Sequence, residues 1–155
     1  MAGRIASRLA ELGITLPTPP VPVATYVPFT ISGKLVFVAG QVPLVDGKVA
    51  FTGKLGGGVS IEQGQAAART CFLNVLAQAS AAAGGDLDRV ARVLHLRGYV
   101  ACTPDFLDHP KVVNGASDLA VAVFGEAGRH ARAAVGVPCL PLDSSVEIEA
   151  VLELS

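Results

Sequence analysis

Residues 128–150 read GRHARAAVGVPCLPLDSSVEIEA, and this stretch decides how the 155-residue chain is read. Two runs of small and β-branched residues, 131–137 and 145–154, have strand character. Pro138 to Ser144 separate them. In the second run Glu147, Glu149 and Glu153 recur with period two, so they share one face of a strand. Arg132 opens the first run beside alanines too small to hide it. Two readings of Arg132 stand. Its guanidinium faces a pocket and grips a carboxylate through two parallel hydrogen bonds. Alternatively it pairs with Glu147, fifteen residues on, across a hairpin, as an edge-strand salt bridge beside a solvated row of glutamates.

Working outward, a helix is expected over residues 112–124, ended by Gly125. Before it, residues 89–102 are rich in aliphatic and β-branched side chains and read as one long strand. Leu94, Leu96, Val100 and Cys102 share one parity, facing helices; Val93, His95, Arg97 and Tyr99 share the other, more polar one. Ser60 and Gln63 have capping-box spacing for a helix that runs to Ala83 and stops at Gly84-Gly85. On it Ala68, Cys71, Phe72, Val75, Leu76 and Ala79 form one continuous core face. Thr52 to Ser60 is glycine-rich, but Lys54 precedes the glycines and no Ser or Thr follows it. The spacing is therefore wrong for a phosphate-binding P-loop, and a flexible loop is expected.

Earlier still, a β-meander turns at Ser32-Gly33-Lys34, between strands 26–31 and 35–39, and again at Asp46-Gly47. Prolines 17, 19, 20, 22 and 28 make residues 13–28 an extended arm, with strand character emerging at 24–27. Ile5, Leu9 and Leu12 at helical spacing beside Arg4 and Arg8 indicate a short amphipathic helix at the start. The expected architecture is α+β: a single domain over 1–155, with helix and proline-rich arm in 1–23 and core in 24–155. Two helices pack on one face of a mixed six-stranded sheet.

Composition bounds the function. Hydrophobic residues make up 51% and charged residues 16%, against about 25% charged in an ordinary soluble domain. Disorder is excluded. So few charges also suggest a homo-oligomer in which neighbouring subunits cover the second face of the sheet. Twelve basic and thirteen acidic residues give a net charge of -1, and aromatics are 5% with no Trp. Nucleic acid is not an expected partner, because neither a basic track nor a stacking platform is visible. The longest apolar stretch, 35–45, is broken by Gly40, Gln41 and Pro43, too short for a membrane span. Cys71, Cys102 and Cys139 show no metal spacing and read as free thiols of a cytoplasmic protein. No zincin, nucleophile-elbow or dinucleotide motif is present. His95, His109 and His130 sit apart along the chain.

Together these segments resemble the RidA/YjgF family, also called L-PSP endoribonuclease-like, over residues 26–154. The marks are Tyr26-Val27, Ala39-Gly40-Gln41-Val42-Pro43, Val113-Asn114, and Ala131-Arg132-Ala133-Ala134-Val135 followed by Leu140-Pro141 and Val146-Glu147-Ile148-Glu149. The resemblance implies a chorismate-mutase-like subunit in a homotrimer with clefts at the subunit interfaces. It implies hydrolytic deamination of reactive 2-enamines and 2-imines to 2-oxo acids and ammonia, with no cofactor and no metal. Residue by residue, Arg132 falls on the carboxylate-binding arginine and Glu147 on the glutamate that handles water or a proton. Tyr26, Gly40, Asn114 and Ala134 fall on substrate-binding positions, Gly40 as a backbone donor. Three departures stand out. Ala39 replaces a frequent serine, and His130 replaces a frequent proline, adding a titratable group near the site. The N-terminal extension is longer than in compact members. The alternatives are a non-catalytic trimer that binds or senses a small carboxylate such as a 2-oxo acid, and the endoribonuclease of the family's older name.

Overall fold

The computed structural model describes residues 2–22 and 24–155. In chain order the elements are α1 (Arg4–Glu11), β1 (Phe29–Ser32), β2 (Leu35–Gln41), β3 (Leu44–Val45), β4 (Lys48–Val49), α2 (Ile61–Ala82), β5 (Val90–Ala101), α3 (His109–Phe124), β6 (Ala131–Val137) and β7 (Val146–Leu154).

Helix α2 begins where its first residues satisfy each other. Ser60 Oγ accepts from the Gln63 backbone N–H at 3.1 Å, and Gln63 Oε1 accepts from the Ser60 N–H at 2.8 Å. Each bond satisfies a donor that the helix start leaves open. Its six expected core residues, from Ala68 to Ala79, are all buried. Helix α3 starts three residues earlier than the sequence suggests, because Pro110 fits the first turn, where no N–H partner is required. The two helices approach closely at Gly115, where any Cβ would run into the Gln65 backbone. Helix α1 has no side-chain cap of its own. Asp88 supplies one from a distant turn, its carboxylate accepting from the Arg4 and Ile5 N–H groups at 2.8 and 2.7 Å. These bonds hold the Asp88 carboxyl below its usual range.

The main sheet has five strands in the order β1-β2-β7-β5-β6, and β3 with β4 forms a separate two-stranded ribbon. The expected six-stranded sheet is thus corrected. After Gln41 the chain bends away at Val42-Pro43, where proline lacks a donor and the Leu44 N–H closes a tight turn on Val42 O. Residues 24–26 are a bend, not the start of a strand; β1 begins only at Phe29.

A second correction concerns β6 and β7, which do not form a hairpin. Helix α3 returns the chain so that β6 lies parallel to β5 at the sheet edge, the usual crossover for a parallel pair. The 138–145 connection then passes the end of β5, and β7 inserts antiparallel between β2 and β5. Along β5 the simple alternation also fails. Register shifts between Val90 and Arg92 and between Val93 and His95 turn Val93 inward with Leu96, while Leu94 is only half-buried. One inserted residue reverses the facing of everything before it. Helices α2 and α3 cover one face. The other carries half-exposed Phe37 and Val135, so it is an open and partly apolar surface.

Candidate active site

Strand β7 alternates strictly, burying Val146, Ile148, Ala150, Leu152 and Leu154 under the helices and turning Glu147, Glu149 and Glu153 to the open face. Opposite them β2 carries a bulge, since Val38 pairs with Ala150 but Gln41 with Ile148. The extra residue lies at Ala39-Gly40. The Glu147 side chain rests on Gly40, where an added Cβ would be 2.9 Å from the carboxylate carbon. Glycine is what lets the carboxylate approach the backbone there.

The two neighbouring glutamates differ. Glu149 accepts from Arg97 Nη1 at 2.9 Å and from the Tyr99 hydroxyl at 3.2 Å. No donor among the described residues reaches the Glu147 carboxylate. Burial, and then repulsion from Glu149, push its carboxyl up from the ordinary glutamate value. A carboxylate that is half-buried, unpaired and raised in this way is suited to exchanging a proton with a substrate or a water.

Glu147 lies in a cavity of about 630 Å³ that Tyr26 and Gly40 also line, so three expected site residues converge here. The remaining wall comes from the proline-rich arm, from the end of β2 through Leu44, from Pro141 and Leu142, and from Glu149. Two buried amides of α2 fix the walls. Gln78 Nε2 donates to Pro20 O at 2.7 Å, and Asn74 Nδ2 donates to Val42 O and Leu44 O at 3.1 Å each. In the sequence only their spacing, two amides four residues apart on an alanine-rich helix, marks them.

Arg132 belongs to a second group. Its Nη1 donates to Asn114 Oδ1 at 2.8 Å and to Ser117 Oγ at 3.2 Å, and its Nη2 donates to Pro110 O at 3.3 Å. Of five guanidinium donors these bonds use about three, leaving Nε–H and one Nη2–H for a ligand carboxylate. The guanidinium is thus held on α3, and the edge salt bridge with Glu147 is not formed. His130 stands behind this arrangement. Its Nδ1 lies 2.7 Å from Gly128 O and its Nε2 lies 2.8 Å from Ser117 Oγ. A carbonyl only accepts, so Nδ1 carries the proton, and Nε2 takes the Ser117 hydroxyl hydrogen. Ser117 then offers its lone pair to Arg132. Burial first, and the nearby Arg132 charge, lower the His130 pKa and so favour the neutral ring, although the Gly128 bond acts the other way. Ser117, one turn from Asn114, was not anticipated from the sequence. Ala134 lies two residues beyond Arg132 on the same face of β6, paired with Gly98.

One chain does not unite the two groups. Arg132 pairs with Leu96, whose partner on β7 is Ala150, and both are buried under the helices. Glu147 pairs with Tyr99 on the opposite face. Arg132, Asn114, Ala134 and His130 therefore sit at the β6 edge on the helix side, and Tyr26, Gly40 and Glu147 on the open side, with β5 between. No group of three or more His, Cys, Asp or Glu side chains that could hold a metal occurs among the described residues.

Residues 6–154 match a family model described as "YjgF/chorismate_mutase-like, putative endoribonuclease". The chain is 48% identical over 155 residues to Protein TCP17 of Trypanosoma cruzi, covering 99% of this chain and 96% of that protein. The crystal structure of Atu1372 from Agrobacterium tumefaciens, a protein of unknown function, superposes with a TM-score of 0.91 at 51% identity, covering 97% of this chain and 92% of the other. RidA from the Antarctic bacterium Psychrobacter sp. is more distant, with a TM-score of 0.62 at 27% identity over 88% of this chain and 94% of its own.

Proposed function

Because the chain belongs to the YjgF/chorismate mutase-like family, we propose that it hydrolyses 2-enamine and 2-imine acids to 2-oxo acids and ammonia. The observation that carries this reading is the unpaired, half-buried Glu147 carboxylate on Gly40, set in a cavity at the open face. Arg132 supplies the complementary carboxylate grip. Since the two point to opposite faces, a second copy must bring its β6 edge to the open face of the first. A closed ring of three copies, as the family resemblance implies, repeats one such contact three times.

The chemistry asks little of the protein. The Nε–H and Nη2–H of Arg132 hold the substrate carboxylate, placing the imine carbon beside Glu147. Glu147 takes a proton from water as its oxygen bonds to that carbon. That proton passes to nitrogen to give the carbinolamine; its hydroxyl proton then moves by way of Glu147 to nitrogen as the C–N bond breaks, releasing ammonia and leaving the C=O of the 2-oxo acid. An imine already hydrolyses in water, so positioning and proton transfer suffice.

A binder of 2-oxo acids without turnover is the second reading. Ala39 favours it, because it lacks the hydroxyl that many relatives place in the cleft. The endoribonuclease description attached to the family gains no support from a chain of net charge -1 with 5% aromatics. The test generates 2-imino acids in situ with an amino-acid oxidase and traps residual imine with semicarbazide. Arg132-dependent loss of trapped imine is expected; binding of 2-oxo acids with turnover at background would transfer the assignment to the binder.

A further inference from the structure

Three exposed apolar side chains converge on the Glu147 cavity from separate parts of the chain. Val21 of the proline-rich arm is 83% exposed, Leu142 of the β6–β7 connection 61%, and Tyr26 50%. Neither the arm nor the connection is there by slack. Gln78, itself buried, holds Pro20 O at 2.7 Å, and α1 anchors the arm's far end through buried Ile5 and Leu9. Leu142 sits at φ 58, followed by Asp143 at φ 57. That backbone region is visited mainly by glycine, asparagine and aspartate and disfavours a bulky residue such as leucine. Strain of this kind persists where the surroundings enforce it, and it concentrates at ligand sites.

Resting on the deaminase reading, we propose that the arm and Leu142 form an apolar specificity wall, and that the substrates are 2-imino acids with large aliphatic side chains. The cavity of about 630 Å³ lies within the roughly 300–1,000 Å³ that encloses drug-sized ligands. A three-carbon imino acid fills little of that volume in the single chain. With the carboxylate held by Arg132 and the imine carbon at Glu147, the side chain extends along Val21 and Leu142, where it replaces water on exposed apolar surface. The polar amides Gln78 and Asn74 point their donors into the wall's backbone, so the arm and Leu142 side of the cavity offers the ligand mostly carbon, while Gln41, Glu147 and Glu149 make up its polar side.

The test compares kcat/KM for imines generated from leucine and from alanine, and in parallel the calorimetric Kd of 4-methyl-2-oxopentanoate and pyruvate. The leucine-derived imine is expected to be preferred by at least about tenfold, since even one methylene in an apolar pocket gives about 10–200-fold. In Val21→Ser and in Leu142→Ser that ratio should fall by roughly fivefold, the effect of removing part of such a contact. Both positions are exposed, so neither change threatens the core; light scattering on the same samples monitors assembly. A ratio near one in the wild type overturns the wall. So does a ratio unmoved by the substitutions, or a change confined to the oligomer's mass, which would mean that a second copy occupies this surface. Absence of turnover on every imine defeats the deaminase reading instead, and the wall is then judged on the two oxo-acid affinities.

Discussion

Gly40→Ala should disable the site while leaving the fold intact. Gly40 does not have a positive φ, so its backbone accepts an L side chain. Loss of unfolded-state freedom alone would then stabilise the protein by about 0.4–1 kcal/mol. The new methyl, however, would lie 2.9 Å from the Glu147 carboxylate carbon and 3.2 Å from its Cγ. Relieving that contact requires the carboxylate to move by roughly 0.5–1 Å, and a misplacement of about 1 Å costs on the order of 100-fold in rate. The expected result in the semicarbazide-trap assay is a loss of about 30–100-fold in kcat/KM with Tm within a few degrees of wild type. Gly98→Ala is the contrast. Its added methyl meets the Val113 side chain in the core, and overpacking of that kind costs about 1–3 kcal/mol in stability. Activity within threefold of wild type in a folded Gly40→Ala protein would refute the role given to the Glu147 carboxylate in its observed position.

Three further outcomes follow from the same geometry. Glu147→Gln should abolish turnover while sparing 2-oxo acid binding, and its stability should depend on pH in one direction. The folded-state carboxyl is raised, so ionisation opposes folding; the variant should match wild type below the ordinary glutamate value and melt higher once pH exceeds the raised one, as thermal scans across pH will show. Ser117→Ala removes the hydroxyl between Arg132 and His130 and should raise KM for carboxylate substrates about threefold to tenfold with kcat little changed, the signature of lost uniform binding; an unchanged KM would remove Ser117 from the positioning of Arg132. Gln78→Ala leaves the Pro20 carbonyl without its buried donor, which should cost about 1–2 kcal/mol in denaturant unfolding and increase amide exchange and proteolytic cutting in the arm.

Local chemistry made much of this fold legible. The Ser60-Gln63 pair, the six-residue core face of α2, the Gly125 stop and the alternation of β7 all depend on near neighbours, and each appears as expected. Long-range order did not follow from the same signals. Whether β7 pairs with β6 or inserts between β2 and β5 depends on the parallel crossover made by α3, which no local spacing reports. The bulges in β5 likewise invert facing without a marker such as glycine, so simple alternation puts Val93 on the polar side although it is buried. The candidate site residues Arg132, Glu147, Tyr26, Gly40 and Asn114 could be named one by one, because they fall on positions of a recognisable pattern, and of these Tyr26, Gly40 and Glu147 share one cavity. Their supporting partners could not, since Ser117, Asn74 and Gln78 are ordinary helix polar residues until the facing walls are known. The separation of Arg132 from Glu147 by a whole strand, on opposite faces, is visible only in three dimensions.

That separation makes the central claim testable by mixing. Arg132→Ala and Glu147→Gln chains, each inactive alone, are co-expressed or denatured together and refolded at equal ratio, and imine turnover is measured on the mixture. If the cleft takes Arg132 from one copy and Glu147 from its neighbour, random assembly of a ring restores about a quarter of the clefts and a similar share of wild-type activity. If both residues served from the same chain, every cleft in the mixture would lack one of them, and activity would stay at the level of the separate variants.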